Sequence, residues 1–175
     1  ITSWGVGTNL ITSKDCPAFG GVYKLAAVKQ GDGEFVPKIK LSENTEKITN
    51  PGNKTTYRIY GKDSHKVIAD IICLVGETFN EDEPLLLFDP IATWKKTLLA
   101  PGTYTMRELP VQVFKDGECV YHSPKVMDIQ KYCKEELNTL WDETKRLVNP
   151  HEVHVDLSKP LWDMKHALLD KYHFE

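Results

Sequence analysis

The chain has 175 residues, of which 41% are hydrophobic and 27% are charged, and its formal net charge is −3. This composition is typical of a soluble globular protein, the lack of a basic excess argues against a nucleic-acid partner, and no apolar run reaches the ~18 residues of a membrane helix. Four scattered cysteines without a Cys-x-x-Cys pair argue against a disulfide scaffold or a zinc knuckle and indicate reduced thiols in a cytoplasmic protein.

The first stretch, Trp4-Gly5-Val6-Gly7-Thr8-Asn9-Leu10, is a candidate anion site. A Gly-X-Gly turn can direct backbone N–H groups into one concavity, and the Thr8 hydroxyl would add a donor for a phosphate. Lys14, in the following loop, could add a cation. A tight turn between a strand and a helix would produce the same letters, and Lys14 would then be an ordinary solvated loop residue.

The next hundred residues predict a mainly β region. Strands are expected over 22–28, 35–41, 56–60, 67–74, 85–88, 94–99 and 104–114, because these runs are rich in Val, Ile, Leu and Tyr and lie between turn signals. Alternation in Lys38-Ile39-Lys40-Leu41 places Lys38 and Lys40 on one face. That face could contact phosphates or could simply be solvated. Asp116-Gly117 is a strong signal for a hairpin.

The last fifty residues predict two helices around a short strand. Ser123-Pro124 should open the first helix, which an apolar stripe carries to Asn149-Pro150. The stripe comprises Val126, Ile129, Cys133, Leu137, Leu140, Thr144 and Leu147. His151–Leu157 should be a strand, in which His151 and His154 would face opposite sides and so could not form a metal pair. Ser158 should cap a final helix with Leu161, Met164, Leu168 and Tyr172 inward.

Four motifs in order closely resemble the carboxy-terminal third of the nicotinate phosphoribosyltransferase family. They are WGVGTNLITS, PAFGGVYKL, PKIKLSE and EKITNPGNK, and a weaker likeness continues through His154-Val155-Asp156-Leu157-Ser158. The chain opens on Ile1 within a strand-like pattern, so we expect a fragment, and 175 residues are too few for a complete (β/α)8 barrel.

The resemblance implies an α+β fold in three parts. Residues 1–21 would be the end of an incomplete α/β phosphoribosyltransferase barrel with a phosphate-binding turn, 22–122 an antiparallel β-module, and 123–175 a helical region. It implies that the turn around Gly7 and Thr8 holds the ribose 5′-phosphate. We therefore expect Gly5, Gly7, Thr8, Asn9 and Lys14 to form the phosphate-binding set, with Lys38 and Lys40 as candidate further contacts that rest on their shared face and not on the resemblance. The resemblance supplies no catalytic residue and no metal ligand, because the family's nicotinate-binding and histidine-bearing segments have no counterpart here.

The implied enzyme transfers phosphoribosyl from phosphoribosyl pyrophosphate to nicotinate, yields nicotinate mononucleotide for NAD biosynthesis, and is coupled to ATP hydrolysis. Its partners would be nicotinate, phosphoribosyl pyrophosphate and ATP with Mg²⁺ in a full-length homodimer, whereas this fragment by itself would bind no cofactor and be inactive. Two alternatives stay open. One is a related nicotinamide- or quinolinate-type transferase, although the sequences Tyr23-Lys24-Leu25 and Lys40-Leu41-Ser42-Glu43 favour the nicotinate branch. The other is a non-catalytic β-module that mediates dimer contacts.

Overall fold

The computed structural model describes residues 2–5, 7–8, 12, 17–18, 20–31, 33–44 and 47–173. Within these residues the secondary structure is mixed, with strands outnumbering two helices. The strands are β1 (Ala27–Lys29), β2 (Phe35–Pro37), β3 (Lys54–Gly61), β4 (Val67–Leu74), β5 (Leu85–Phe88), β6 (Lys96–Leu99), β7 (Tyr104–Glu108), β8 (Phe114–Lys115), β9 (Glu118–Cys119) and β10 (His154–Leu157). The helices are α1 (Val126–Thr139) and α2 (Lys159–His173).

The largest sheet in the described part of the chain has the strand order β10-β4-β3-β7. Strand β3 pairs antiparallel with both β4 and β7, whereas β10 pairs parallel with β4. The described strand pairs within 22–122 are all antiparallel, as predicted for this region. Strand β10, from the carboxy-terminal region, adds one parallel pairing, so the sheet as a whole is mixed. Its core is formed by Ile59, Ala69, Ile71, Leu87 and Tyr104.

Helix α2 begins directly after β10, and Ser158 makes the connection. Its backbone N–H donates to the carbonyl of Ile72 at 2.9 Å, and its hydroxyl accepts from the N–H of Leu161 at 3.3 Å, which is the geometry of an N-cap. The predicted capping role of Ser158 is confirmed. Leu161 is fully buried under the sheet, whereas Tyr172, predicted to face inward, is exposed.

Several local predictions are confirmed to the residue. Strands β4 and β5 occupy the predicted ranges, and Asp116 and Gly117 form the two-residue turn between β8 and β9. Both turn residues have positive φ, 51° and 87°, as a type I′ hairpin requires.

Other strands are shorter than predicted. The segment 22–28 contributes only its end to β1, the segment 35–41 stops at Pro37, and the segment 104–114 stops at Glu108 apart from Phe114 in β8. A run of β-forming residues extends as a strand only where a neighbour supplies backbone partners. Strand β7 finds such a partner in β3 as far as Glu108.

The prediction for α1 is wrong at both ends. The helix starts at Val126 with Lys125 as an N-cap residue that makes no side-chain cap hydrogen bond, so Ser123 does not cap it. It ends at Thr139 instead of continuing to Asn149. At this end the Lys66 ammonium, from the residue just before β4, donates to the carbonyls of Asn138 at 2.7 Å and Leu140 at 3.1 Å, so helix-terminal acceptors are satisfied by a residue distant in sequence.

The apolar stripe of α1 faces outward. None of its fourteen residues is buried, and Val126 is 78% exposed. Within the described residues, its main attachment to the sheet is polar. Arg107 on β7 forms two hydrogen bonds, at 2.7 and 2.6 Å, with the carboxylate of Glu136.

Gly52 occupies a position that only glycine fits. Its φ is +90°, and a Cβ there would lie 2.8 Å from the Leu74 side chain and 3.2 Å from the sulfur of Met164. We therefore expect Gly52→Ala to lower the free energy of unfolding by about 1–3 kcal/mol through overpacking, in addition to the backbone strain. Urea denaturation measures this loss.

Gly76→Ala is the matched control. Gly76 has a similar φ of +96°, but a Cβ there would meet nothing within 4 Å. It therefore carries the backbone strain without the contact. Equal losses for the two variants would show that crowding against Leu74 and Met164 does not determine the choice of glycine at position 52.

Candidate functional site

The amino-terminal residues predicted to bind phosphate are open to solvent where they are described. Gly5, Gly7 and Thr8 are exposed, and a Cβ at either glycine would meet nothing within 4 Å. Gly5 does not have the positive φ that a nest would use. Asn9 and Lys14 lie outside the described residues. The assignment of these five residues as a phosphate site stays a prediction.

Lys38 and Lys40 follow β2 instead of lying within it, and both are exposed on either side of the half-buried Ile39. The alternation that was predicted is therefore present without the strand. The backbone of this segment is held by a hydrogen bond from the N–H of Lys38 to the carbonyl of Ala26 at 2.8 Å and by one from the N–H of Thr49 to the carbonyl of Lys40 at 3.4 Å. Both ammonium groups are thus accessible to an anionic ligand.

The two histidines around β10 are arranged differently from the prediction. The strand starts at His154, so His151 lies before it, and both residues line one shallow depression beside Trp141. The expectation that a shared strand would turn them to opposite sides is wrong, because His151 is not in a strand. Within the described residues, no group of three or more His, Cys, Asp or Glu side chains is placed to hold a metal ion.

A cleft of about 290 Å³ lies between the main sheet and the β5–β6 hairpin. Its apolar lining comes from Ile68 and Ala69 on β4 and from Leu87 and Phe88 on β5. Its polar lining comes from Asp89, Lys95, Lys96, Thr97, His154 and Asp156. An apolar surface with a few converging polar groups is typical of a small-molecule site.

Asp156 is the most unusual group in this cleft. The residue is only 7% exposed, and its carboxylate forms no hydrogen bond or ion pair with any residue that the structure describes. Burial raises the pKa of this carboxyl to about 6, and nearby His154 opposes part of that rise. Among the described residues, the fully enclosed side-chain polar atom without a partner is the Tyr60 hydroxyl, so the Asp156 oxygens keep some contact with solvent at the cleft. A carboxylate buried to this extent normally has hydrogen-bond partners.

Asp89, in contrast, is occupied by its own turn. Its carboxylate accepts hydrogen bonds from the backbone N–H groups of Ile91 at 2.8 Å and Ala92 at 2.7 Å, and these bonds lower the pKa of the carboxyl. The turn returns the chain to Lys95, whose N–H donates to the carbonyl of Ala92 at 2.8 Å. Asp89 thus shapes the rim and leaves Asp156 as the unpaired acid of the cleft.

The cleft between the main sheet and the β5–β6 hairpin is not among the sites that the sequence predicts. One feature of the cleft can be predicted from the sequence: His154 and Asp156 are two residues apart on a strand and therefore share a face. The burial of Asp156 cannot be predicted in this way, because it depends on packing between β10 and the β5–β6 hairpin, which is distant in sequence.

Comparison with known proteins identifies the chain. Residues 53–165 match the family model described as the nicotinate phosphoribosyltransferase C-terminal domain. The chain belongs to this family. The matched range of the C-terminal domain family contains the main sheet and every residue lining the cleft, and it begins after the amino-terminal glycine motif.

Individual relatives agree with this assignment. A nicotinate phosphoribosyltransferase of Bacillus subtilis is 41% identical over 165 residues, which are 94% of this chain and 33% of the relative. One from Dictyostelium discoideum is 30% identical over 176 residues, or 96% of this chain and 28% of the relative. The chain thus spans about a third or less of the length of the curated relatives it matches.

The fold is also similar to a solved structure, the crystal structure of human nicotinic acid phosphoribosyltransferase. The TM-score is 0.65 at 24% identity, and the match covers 87% of this chain and 27% of the human chain. At this identity the likeness shows the fold. It confirms a small α+β unit that corresponds to part of a larger protein chain.

The raised pKa of Asp156 predicts a pH dependence of stability. Its folded-state pKa of about 6 exceeds the reference value of 3.8, so between these values the folded protein holds the proton more firmly than the unfolded chain. The resulting stabilisation is complete below pH 4 and is lost as the pH rises through 6. We therefore expect Asp156→Asn to be more stable relative to the wild type at pH 7.5 than at pH 4, by at most ~3 kcal/mol.

Urea denaturation of both proteins at several pH values measures this difference. Asp142→Asn is the control, because a hydrogen bond from Lys145 lowers the pKa of that exposed carboxyl and its removal should change stability with the opposite sign. A difference between wild type and Asp156→Asn that does not vary from pH 4 to pH 7.5 would contradict the burial of an unpaired carboxylate.

Proposed function

We propose that this chain forms the carboxy-terminal part of an enzyme that transfers phosphoribosyl from phosphoribosyl pyrophosphate to nicotinate, giving nicotinate mononucleotide and pyrophosphate. The observation that carries the proposal is the match of residues 53–165 to the C-terminal domain family, supported by 41% identity to the Bacillus subtilis relative. The reaction belongs to NAD biosynthesis, and we place it in the cytoplasm.

In this proposal the amino-terminal segment completes the end of a phosphoribosyltransferase barrel and binds the 5′-phosphate of the ribose. The backbone N–H groups around Gly5 and Gly7 and the hydroxyl of Thr8 would donate to the phosphate oxygens. Asn9 and Lys14 would add an amide and a cation, with Lys38 and Lys40 as further cationic contacts. Fixing the phosphate would hold the anomeric carbon in position for attack by the base, since orientation is a major contribution to group transfer.

The proposal includes coupling to ATP hydrolysis with Mg²⁺ and assembly as a homodimer in the complete enzyme. The residues described in this chain do not supply a set of ligands for the metal. We therefore assign no step to a metal on these residues. Their part in the proposed mechanism is to bind and orient the phosphoribosyl group.

A second candidate is a contact-forming role without catalysis. It is favoured by the exposed apolar side chains along 111–137, which include Val126 at 78% and Met127 at 70% exposure. Large exposed apolar patches mark sites of interaction with other protein surfaces. Phosphate bound at residues 5–9 would favour the enzymatic role over this one.

The first test measures turnover by the 175-residue chain. We expect no measurable nicotinate mononucleotide when it is incubated with nicotinate, phosphoribosyl pyrophosphate, ATP and Mg²⁺, because it contains only part of the proposed site. Chromatography of the product measures this, with the complete Bacillus subtilis relative as the positive control. Sustained product formation by this chain would overturn the assignment of catalysis to segments outside it.

The second test uses a chimera in which this chain replaces the matching third of the Bacillus subtilis relative. We expect the chimera to be active and Gly7→Val in it to weaken phosphoribosyl pyrophosphate binding about tenfold or more, with little effect on ATP. The valine would block close approach of phosphate to the backbone, where a charge-assisted hydrogen bond contributes roughly 1.5–3 kcal/mol. Calorimetric titration with each ligand measures the two affinities.

Gly20→Val is the matched control, because a Cβ at this exposed glycine also meets nothing within 4 Å. It should leave both affinities unchanged. Equal losses of the two ligands in Gly7→Val, or no loss of either, would exclude the amino-terminal turn as the phosphate site.

A further inference from the structure

The cleft between the main sheet and the β5–β6 hairpin has the size and lining of a ligand site. Its volume of about 290 Å³ lies just below the range for small-molecule sites, roughly 300–1,000 Å³, which suits a small ligand. Its apolar wall combines the side chains of Leu87 and Phe88, which are buried on the hairpin, with Ile68 and Ala69 on the sheet. A short apolar body could therefore be covered on two sides.

Asp156 specifies what one end of such a ligand would be. The residue is only 7% exposed and lines the cleft, and its carboxylate forms no hydrogen bond with the described residues. By comparison, the other buried acid of the sheet, Asp70, accepts two hydrogen bonds from Arg58 at 2.7 and 2.8 Å. A ligand carrying an N–H donor, best a protonated amine, would supply what Asp156 lacks.

Lys95 and Lys96 indicate which chemical group the other end of such a ligand would carry. Both line the cleft at its exposed rim, and neither ammonium forms an ion pair within 4 Å with a carboxylate of the described residues. The nearby Asp89 carboxylate is already bound by the backbone of its own turn. Two free ammonium groups at the rim favour an anionic group on the ligand.

We propose that this cleft binds a small amphoteric molecule, with an amine on the Asp156 carboxylate, an anionic group at Lys95 and Lys96, and a short apolar body against Leu87 and Phe88. The amino acids are the simplest molecules with this chemistry. The site is built entirely from residues within 53–165, so it does not depend on the proposed phosphate turn.

Three matched probes separate the contributions. Phenylalanine carries the amine, the carboxylate and the apolar body, whereas phenethylamine lacks the carboxylate and 3-phenylpropionate lacks the amine. Titration of the purified protein at pH 7, followed through the amide NMR signals of Ala69 and Leu87, measures binding at the cleft. We expect saturable binding of phenylalanine and about tenfold weaker binding of each truncated probe.

Substitutions in the cleft test which residues bind the amine end and the anionic end of the ligand. Asp156→Asn should weaken phenylalanine and phenethylamine about tenfold and leave 3-phenylpropionate unchanged, since the amide keeps the shape but not the charge. Lys95→Ala combined with Lys96→Ala should weaken phenylalanine and 3-phenylpropionate but not phenethylamine. Lys62→Ala, at an exposed turn lysine that does not line the cleft, is the control and should change none of the three affinities.

Three results would overturn the proposal. The first is the absence of saturable shifts at Ala69 and Leu87 with phenylalanine, which would favour a cleft covered by another protein segment. The second is equal affinity of wild type and Asp156→Asn for phenethylamine. The third is a loss for all three probes in the Lys62→Ala control, which would show non-specific electrostatic binding.

Discussion

The parallel pairing of β10 with β4 is the constraint on which the rest of the described structure depends. It joins residues 154–157 to residues 69–72 across more than eighty positions of the chain. The ladder continues into Ser158, whose N–H donates to the carbonyl of Ile72 and whose hydroxyl donates to Glu77 at 2.7 Å. Because Ser158 also caps α2, the position of that helix is fixed by the same pairing. The β10–β4 pairing also places Asp156 in the lining of the cleft.

The pairing makes β4 an interior strand, so Asp70, a charged residue on that strand, needs a partner within the sheet. Asp70 is directly opposite Arg58 on β3 and accepts both hydrogen bonds of a bidentate pair. Removing one member of such a pair leaves a buried charge without a partner, which costs more than the pair contributes. The two buried acids of the sheet therefore differ. Asp70, on the interior strand β4, has its cation within the chain, whereas Asp156, on the edge strand β10, has no cation paired with it among the described residues.

Local signals account for the parts of the fold that the sequence predicted. Strand β4, the Asp116-Gly117 turn and the Ser158 cap each depend on neighbouring residues, so the pattern of the segment was sufficient. The length of α1 was predicted wrongly, because the apolar periodicity of the segment carries no information about its contacts with Lys66 and Arg107, which are distant in sequence. The candidate cleft could not be predicted for the same reason. Its acid and its lysines lie about sixty residues apart, and alternation along β10 indicates a shared face but not what covers it.

The sheet and α1 should differ in local stability, because the sheet has a buried apolar core and α1 does not. The sheet is held by a buried apolar core that includes Ile59, Ile71 and Tyr104. Helix α1 and the β8–β9 hairpin bury no residue, and within the described part of the chain they are tied to the sheet chiefly by the Arg107–Glu136 pair and by Lys66. An ion pair that is partly exposed contributes little, on the order of 1 kcal/mol or less. Local opening of residues 110–139 should therefore require much less free energy than separation of β10 from β4, so the cleft belongs to the rigid part of the described chain and the apolar stripe of α1 to its more readily opened part.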